Sequence, residues 1–307
     1  AHPGRVSVVM GDVDARLLID ILLDRSRANR DFGQHYLHDD SVLRNTIEMC
    51  AEANHPLGSD SRILEIGPGP GSLTLHLLST GATVIGIEIE KESINHLNRN
   101  FTEEIEANRL ELIEGDALKV KWPDVTHIVA NIPYQISSPL IDRIRNQPGA
   151  SSVTCVVLLL QQEFAHRLAM HGGPDSVGPL GLNTALDWEV NLGPVVPPHC
   201  FVPSPRVHSQ LVSFVPRKEA LPPNLNHRLH RLIVKHVFTQ RRRKVRGMLR
   251  SSPKRISRIP GWYRERWSKA IDSVLETTEI DVDSRPDLLS PEDWIHLTME
   301  IEAFDPD

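Results

Sequence analysis

The sequence predicts an α/β fold in which a doubly wound, mostly parallel sheet precedes a small helical domain. From residue 32 to residue 216, short apolar segments of strand length alternate with amphipathic segments, which is the pattern of a parallel sheet covered by helices. Beyond a linker with paired prolines, apolar residues recur at helical spacing instead. At 307 residues the chain is long enough for one large domain and a small appendage.

The elements follow in a regular order. Residues 1–31 show no sheet pattern, and we expect a partly helical N-terminal extension. Seven apolar segments are then predicted to be strands, at 62–66, 83–88, 110–113, 127–131, 153–160, 185–192 and 210–215. The sheet domain is therefore predicted to span residues 32–216 and the helical domain residues 217–307.

The first predicted strand leads into a glycine-rich turn. Glycines 67, 69 and 71 can adopt positive φ and allow the backbone to approach a ligand closely. Ser72 stands where the dinucleotide fingerprint G-x-G-x-x-G requires its third glycine, so the turn departs from that pattern. By itself, a turn of this kind is as compatible with NAD or FAD as with another nucleotide.

Carboxylates at the ends of the next two strands indicate which nucleotide the turn binds. Glu88 ends the second strand, 21 positions after Gly67, where a carboxylate can accept both hydroxyls of a ribose. Asp116 follows the third strand and can accept a hydrogen bond from an adenine amino group. Successive strand ends that carry these groups in order favour S-adenosylmethionine over NAD.

The fourth strand ends in Asn131-Ile132-Pro133-Tyr134. An Asn side-chain oxygen and the carbonyl before a proline can both accept protons from an exocyclic amine, which returns electron density to the nitrogen. The proline fixes the backbone that carries these acceptors, and the tyrosine offers a face on which an extruded base can stack. The tetrapeptide therefore predicts methylation of a base amine.

Taken together, these motifs resemble those of the ribosomal small-subunit RNA adenine dimethyltransferases. The resemblance extends from about residue 32 to residue 300 and is carried by segments 34–37, 65–71, 131–137, 162–163, 201–207, 238–244 and 284–290, with Glu88 and Asp116 between them. It implies a Rossmann-like, seven-stranded S-adenosylmethionine-dependent methyltransferase domain with a small C-terminal α-helical domain. It also implies N6,N6-dimethylation of two adjacent adenines in the 3′-terminal hairpin loop of small-subunit rRNA, during ribosome biogenesis.

The resemblance also assigns roles to individual residues. It implies cofactor contacts from Gln34, His35, Leu37, Glu65, Gly67, Gly69, Gly71, Glu88, Asp116, Ala117 and Asn131. It implies a catalytic set of Asn131, Ile132, Pro133, Tyr134 and Phe201, in which Tyr134 and Phe201 sandwich the target adenine. The chain departs from the family pattern at His35, and its Val177–Gly181 segment lacks an arginine that is usual there.

Charge is strongly segregated along the chain. The net charge is −6, yet residues 228–269 hold 15 Lys and Arg and a single acid, a net of +14. Self-repulsion within such a block costs stability unless a polyanion is nearby, and a phosphate backbone is the natural partner. We expect Arg241, Arg242, Arg243 and Lys244 to contact rRNA.

Composition excludes other classes of protein. No apolar stretch approaches the ~20 residues of a membrane span. The three cysteines include no CxxC pair, so neither a disulfide framework nor a metal site is predicted. The N-terminal segment lacks the features of a transit or signal peptide. The expected compartment is the cytoplasm, and the resemblance implies a monomer whose partner is small-subunit rRNA in a pre-ribosomal particle.

Three alternatives remain open at this point. The first is a related 23S-type rRNA adenine methylase. The second is a ribosome-assembly or mitochondrial transcription factor that keeps the fold and binds RNA without depending on catalysis. The third is a DNA adenine methylase, although such enzymes normally carry proline at the position of Ile132.

Overall fold

The computed structural model describes residues 14–25, 34–146 and 152–305. Its contacts divide the chain into two compact units. The sheet unit comprises the residues up to 165 together with 190–216, and the helical unit comprises residues 166–189 together with those from 217 onward.

The described residues form nine strands, seven of which correspond to the predicted strands and make one large sheet. The strands are β1 (Tyr36–Leu37), β2 (Arg62–Ile66), β3 (Thr83–Glu88), β4 (Leu110–Glu114), β5 (His127–Asn131), β6 (Cys155–Gln161), β7 (Trp188–Val196), β8 (Phe201–Val202) and β9 (Ser209–Pro216). The large sheet has the order β4-β3-β2-β5-β6-β9-β7, while β1 and β8 form a separate two-stranded sheet. Strands β2 to β6 pair in parallel and β9 is antiparallel to β6, which confirms the predicted mostly parallel sheet.

Helices cover this sheet. They are α1 (Ala15–Leu23), α2 (Asp40–Glu52), α3 (Ser72–Ser79), α4 (Lys91–Asn100), α5 (Thr102–Glu106), α6 (Ser137–Asn146) and the first half of α7 (Gln162–Ala169), whose residues from His166 onward belong to the helical unit. Helix α1 begins at an Asp14 side chain that accepts from the Leu17 N–H. Its residues Ala15 and Leu18 are buried in the same core as the sheet. The described part of the predicted N-terminal extension is thus helical, and it is packed into the sheet unit.

The helical unit has a core of its own. It contains α8 (Pro179–Thr184), α9 (His227–Val237), α10 (Val245–Leu249), α11 (Arg264–Thr277) and α12 (Pro291–Glu302). Trp267 and Trp294 are fully buried in its hydrophobic cluster. The helical character predicted beyond the linker is confirmed.

Two boundaries differ from those predicted. The strand expected at 185–192 begins at Trp188 and continues to Val196, because residues 179–184 form α8 and Ala185 caps that helix. Residues 166–189 also cluster with the helical unit and not with the sheet, since Leu182 and Met170 pack into the helical unit's core. Apolar spacing alone did not distinguish a short helix from the start of a strand.

Within residues 14–25, 34–146 and 152–305, no helix is both long enough and apolar enough to cross a membrane. The same residues contain no group of three or more His, Cys, Asp or Glu placed to hold a metal ion.

Candidate active site

A cavity of about 290 Å³ lies in the sheet unit, where the carboxyl ends of β2, β3 and β5 meet the loop after β4. Parallel strands bring their carboxyl ends to the same edge of a sheet, so the motifs that follow each strand converge there. Of the predicted cofactor residues, all except Gly71 line this cavity, and Asn131, Ile132, Pro133 and Tyr134 line it as well.

The glycine turn forms one wall of the cavity. Gly67 and Gly69 adopt φ of +66° and +54°, which favours glycine. A Cβ on Gly67 would meet no atom within 4 Å, so its backbone faces open space. Gly71 has a different task, because a Cβ there would lie 2.5 Å from the Phe101 ring. Gly71 is thus required for helix packing, and the prediction that it contacts the cofactor is not supported.

Glu88 is held at the floor of the cavity by two backbone groups. Its Oε2 accepts from the Gly69 N–H at 2.9 Å, and its Oε1 accepts from the Glu90 N–H at 2.9 Å. A carboxylate offers about four lone-pair sites, so about two remain for a ligand. The side chain is only 4% exposed, and burial raises its pKa. The two amides orient a carboxylate that has lost most of its own solvation.

Glu65 also lines the cavity and is almost completely buried. Its Oε2 accepts from the Thr74 hydroxyl at 2.7 Å, and complete burial raises the pKa of this carboxyl to about 8. The group is therefore neutral at pH 7. A neutral Glu65 keeps a second negative charge away from Glu88.

The loop after β4 contributes Asp116 and Ala117. The Leu118 N–H donates to Asp116 Oδ1 at 2.9 Å and lowers the pKa of this carboxyl, and Lys119 Nζ lies 3.1 Å from its other oxygen. Ala117 is buried, and its carbonyl accepts from Trp122 Nε1 at 2.8 Å. Asp116 is thus an ionised acceptor at the cavity edge.

Residues 34–37, which we call the covering segment, line the cavity as one continuous stretch. The Tyr36 hydroxyl donates to Gln34 Oε1 at 2.9 Å, and Gln34 Nε2 donates to Glu90 Oε2 at 2.6 Å. Tyr36 and Glu90 were not predicted as site residues, although one lies inside the 34–37 motif and the other two positions after Glu88. This hydrogen-bonded chain connects the covering segment to the end of β3.

The same segment is fixed on its other side by β8. Leu37 pairs with Phe201, and His35 Nδ1–H donates to the Pro203 carbonyl at 2.7 Å. Phe201 is only 3% exposed and belongs to the hydrophobic core. The prediction that Phe201 stacks on the target base is therefore not supported, because its ring does not line the cavity and is packed in the core beside the covering segment.

Asn131 is oriented by the covering segment. Its Nδ2 donates to the His35 carbonyl at 3.5 Å, and among the described residues Oδ1 has no hydrogen-bond donor. The Tyr134 hydroxyl is 2.6 Å from Ser209 Oγ, and the Tyr134 ring lies 5.6 Å from the His35 ring at an interplanar angle of 30°. One amide acceptor and one fixed aromatic face are thus presented at the end of β5.

The predicted RNA-binding residues lie in the helical unit. Arg241 donates to the carbonyls of Pro174, Asp175 and Val177, and Lys244 Nζ lies 3.4 Å from Asp283 Oδ1. Arg242 and Arg243 are exposed, and neither forms an ion pair with a residue in the described ranges. Half of the predicted set is therefore committed to intramolecular contacts.

The sequence and the fold were compared with known proteins. The family described as ribosomal RNA adenine dimethylase matches residues 25–260. The chain is 38% identical over 236 residues to the "Probable ribosomal RNA small subunit methyltransferase A" of Haloarcula marismortui, which covers 76% of this chain and 79% of the relative.

Two solved structures share the fold. A dimethyladenosine transferase from Plasmodium falciparum superimposes with a TM-score of 0.71 at 25% identity, covering 87% of this chain and 97% of that one. The 23S rRNA methyltransferase ErmE superimposes with a TM-score of 0.66 at 21% identity, covering 87% of this chain and 99% of that one. The likeness to ErmE shows the fold alone.

Proposed function

The chain belongs to the ribosomal RNA adenine dimethylase family and is an rRNA adenine dimethyltransferase, and from this premise we propose its substrate and mechanism. The substrate is a pair of adjacent adenines in the 3′-terminal hairpin loop of small-subunit rRNA, each dimethylated at N6. The enzyme acts on a pre-ribosomal particle as part of ribosome biogenesis. The observation that carries the proposal is the position of Asn131 at the cavity, where Nδ2 contacts the His35 carbonyl at 3.5 Å and no described residue donates to Oδ1.

The residues around the cavity fit an adenosyl cofactor. The open space at Gly67 and the positive φ of the turn allow a ligand to lie against the backbone. Glu88 would hold the ribose hydroxyls, and Asp116 would accept from the adenine amino group. When bound, S-adenosylmethionine supplies the methyl group as an electrophilic substituent on its sulfonium.

Asn131 and Ile132 then activate the base. The Asn131 Oδ1 and the carbonyl of Ile132, a residue that is 2% exposed, accept the two N–H groups of the adenine amine. These contacts return density to a nitrogen whose lone pair is otherwise delocalised into the ring. Tyr134, held by Ser209, stacks on the extruded base with a contribution of about 1–3 kcal/mol.

No strong general base is needed for this reaction. The amine becomes acidic only after it has been methylated, so its proton can leave to water. Catalysis consists mostly of positioning and of desolvation by the covering segment of residues 34–37. The pKa of Glu65, raised to about 8, keeps that carboxyl neutral and avoids a second buried anion beside Glu88.

Arg242 and Arg243 are the members of the predicted RNA-binding set that remain available for phosphate. We also take the enzyme to be cytoplasmic and monomeric. All three cysteines are free thiols, which agrees with a reducing compartment. Sedimentation of the purified chain tests whether it is a monomer.

Transfer of tritium from labelled cofactor tests the proposal. Purified small ribosomal subunits that lack the modification should accept about four methyl groups each, two on each adenine. Large subunits and DNA run in parallel test the 23S-type and DNA-methylase alternatives. Preferred labelling of either would refute the substrate, and an absence of transfer to any of the three would favour the non-catalytic factor.

A further inference from the structure

A second group of cations in the helical unit lacks the intramolecular partners that occupy Arg241 and Lys244. The basic segment, which we define as residues 254–264, contains Lys254, Arg255, Arg258 and Arg264 and no acid. All four side chains are exposed, and within the described part of the chain none of them forms an ion pair. Like charges collected in this way cost free energy in the isolated protein.

The basic segment is anchored from beneath. Ile256, Ile259 and Trp262 follow one another at intervals of three residues, and all are buried in the helical unit's core. Residues 256–258 form a 3-10 turn, whose period of three places these anchors on one side. The charged residues between the anchors are therefore exposed on a fixed backbone.

The contacts of Arg266 fix the C-terminal end of the basic segment. Arg266 Nη1 donates to the Gly261 carbonyl at 2.8 Å, and its guanidinium lies 4.4 Å from the Trp262 ring centroid. Gly261 has φ of +79°, so the chain turns sharply there. Tyr263 follows directly, is 48% exposed and stands at the N-cap of α11. The aromatic face of Tyr263 is thus presented beside the cations on a fixed backbone, so that little conformational entropy is lost on binding.

A fifth cation joins this surface from α9. Arg228 Nη2 donates to the Arg258 carbonyl at 3.3 Å, and the Arg228 side chain is exposed. Its partner is a neutral carbonyl, so the positive charge remains uncompensated.

We propose that the basic segment, with Arg228, is an RNA-docking surface on which the cations contact phosphates and Tyr263 stacks on an unpaired base. The proposal rests on the proposed function for the identity of the polyanion as rRNA. A polyanion would compensate the charge, and an exposed aromatic ring beside the cations can stack on an unpaired base. An anionic membrane fits less well, because the apolar residues of the segment point inward and leave no apolar face for insertion.

Salt dependence of RNA binding tests the charged part of this surface. The triple variant Arg255→Gln/Arg258→Gln/Arg264→Gln changes exposed side chains only, and it should unfold at the temperature of the parent or slightly above it, because fewer like charges repel one another. The probe is a fluorescein-labelled transcript of the 3′-terminal small-subunit hairpin with its single-stranded flanks, followed by anisotropy. The slope of log affinity against log salt should shrink by up to about 2.1–2.7, and affinity at 0.1 M salt should fall by up to about 100- to 500-fold.

The matched control removes the same charge elsewhere. Lys91→Gln/Arg99→Gln/Lys121→Gln also changes three exposed cations that form no ion pair within the described residues, all outside the basic segment and outside the cavity. It should shift the slope far less than the triple variant. Equal slopes for the two variants would reduce the effect to net charge and overturn the proposal.

Tyr263 is tested separately. Tyr263→Ala should weaken RNA binding about 5- to 150-fold, while Tyr263→Phe, which keeps the stacking face, should bind like the parent. Unchanged binding by the alanine variant would remove the base contact. Loss of binding to phosphatidylserine vesicles, with RNA binding unchanged, would assign the surface to a lipid instead.

These outcomes are separable from failure of the proposed function. If the parent protein methylates small subunits while the triple variant keeps both its salt slope and its KM, the surface proposal alone is wrong. If the parent binds the transcript with the expected slopes yet transfers no methyl group, the surface stands and the enzymatic proposal falls.

Discussion

The carboxylate of Glu88 should set the affinity for the cofactor. Two of its lone-pair sites are occupied by the N–H groups of Gly69 and Glu90, so the remaining pair faces the cavity. Hydrogen bonds to a charged group are worth about 1.5–3 kcal/mol, so Glu88→Ala should weaken cofactor binding about 10- to 150-fold. Glu88→Gln removes the charge and turns an NH2 group toward the Gly69 or the Glu90 N–H, so it should weaken binding at least about 5- to 10-fold.

The assay is titration calorimetry with S-adenosylhomocysteine, supported by thermal unfolding to show that each variant folds. A control is available at the neighbouring strand end. Glu114 pairs with Glu88 in the β3–β4 register but is exposed and does not line the cavity. Glu114→Ala should therefore bind the ligand as the parent does.

A pH series adds an independent check on the same group. Burial raises the pKa of Glu88, so affinity should begin to fall on acidification at a higher pH than an ordinary glutamate would give. A dissociation constant that is unchanged in Glu88→Ala, or equal losses in Glu88→Ala and Glu114→Ala, would refute the assignment of Glu88 to the ribose.

Three further predictions concern other groups. Asn131→Ala should lower methyl transfer about 100-fold or more while cofactor affinity stays nearly constant, because the amide positions the amine; calorimetry that showed an equal loss of affinity would move Asn131 to cofactor binding. Arg242→Gln/Arg243→Gln should flatten the salt dependence of particle binding by up to about 1.4–1.8 without changing cofactor affinity, and an unaltered slope would leave these residues as a solvated surface. The folded-state pKa of Glu65, about 8, lies above the ordinary glutamate value of 4.5, so below pH 4.5 the carboxyl is protonated in both states and its contribution is fully present. As pH rises from 4.5 to 8, this stability is lost by up to about 1.4 kcal/mol per pH unit. Glu65→Gln keeps a partner for Thr74, and its thermal unfolding should not show this dependence on pH. If the stability of the variant and of the parent changed with pH in the same way, the prediction would be contradicted.

Much of the active site could be predicted because its parts are local in sequence. Each binding group immediately follows an apolar strand, and parallel strands bring their carboxyl ends together whatever the details of packing. The positions of Gly67, Glu88, Asp116 and Asn131 around one cavity therefore agree with the sequence prediction.

Other features depend on neighbours that are remote in the chain. Phe201 is buried in the core because β8 pairs with β1, and these two strands are more than 160 residues apart in the sequence. Arg241 was grouped with Arg242 by sequence, yet the turn at 174–177 engages only the first of these guanidinium groups. Residues 166–189 join the helical unit through the side chains that bury them.

The sequence by itself determined which motif follows which strand along the chain, the glycine turn and the chemistry at each strand end. Hydrophobic periodicity and backbone freedom act over only a few residues, so local sequence is enough to reveal them. Only the tertiary structure decided which groups remain available to a ligand. Whether a cation is paired, a ring is buried or a carboxyl is neutral depends on the atoms that packing places around it. Those atoms come from parts of the chain that no local pattern connects.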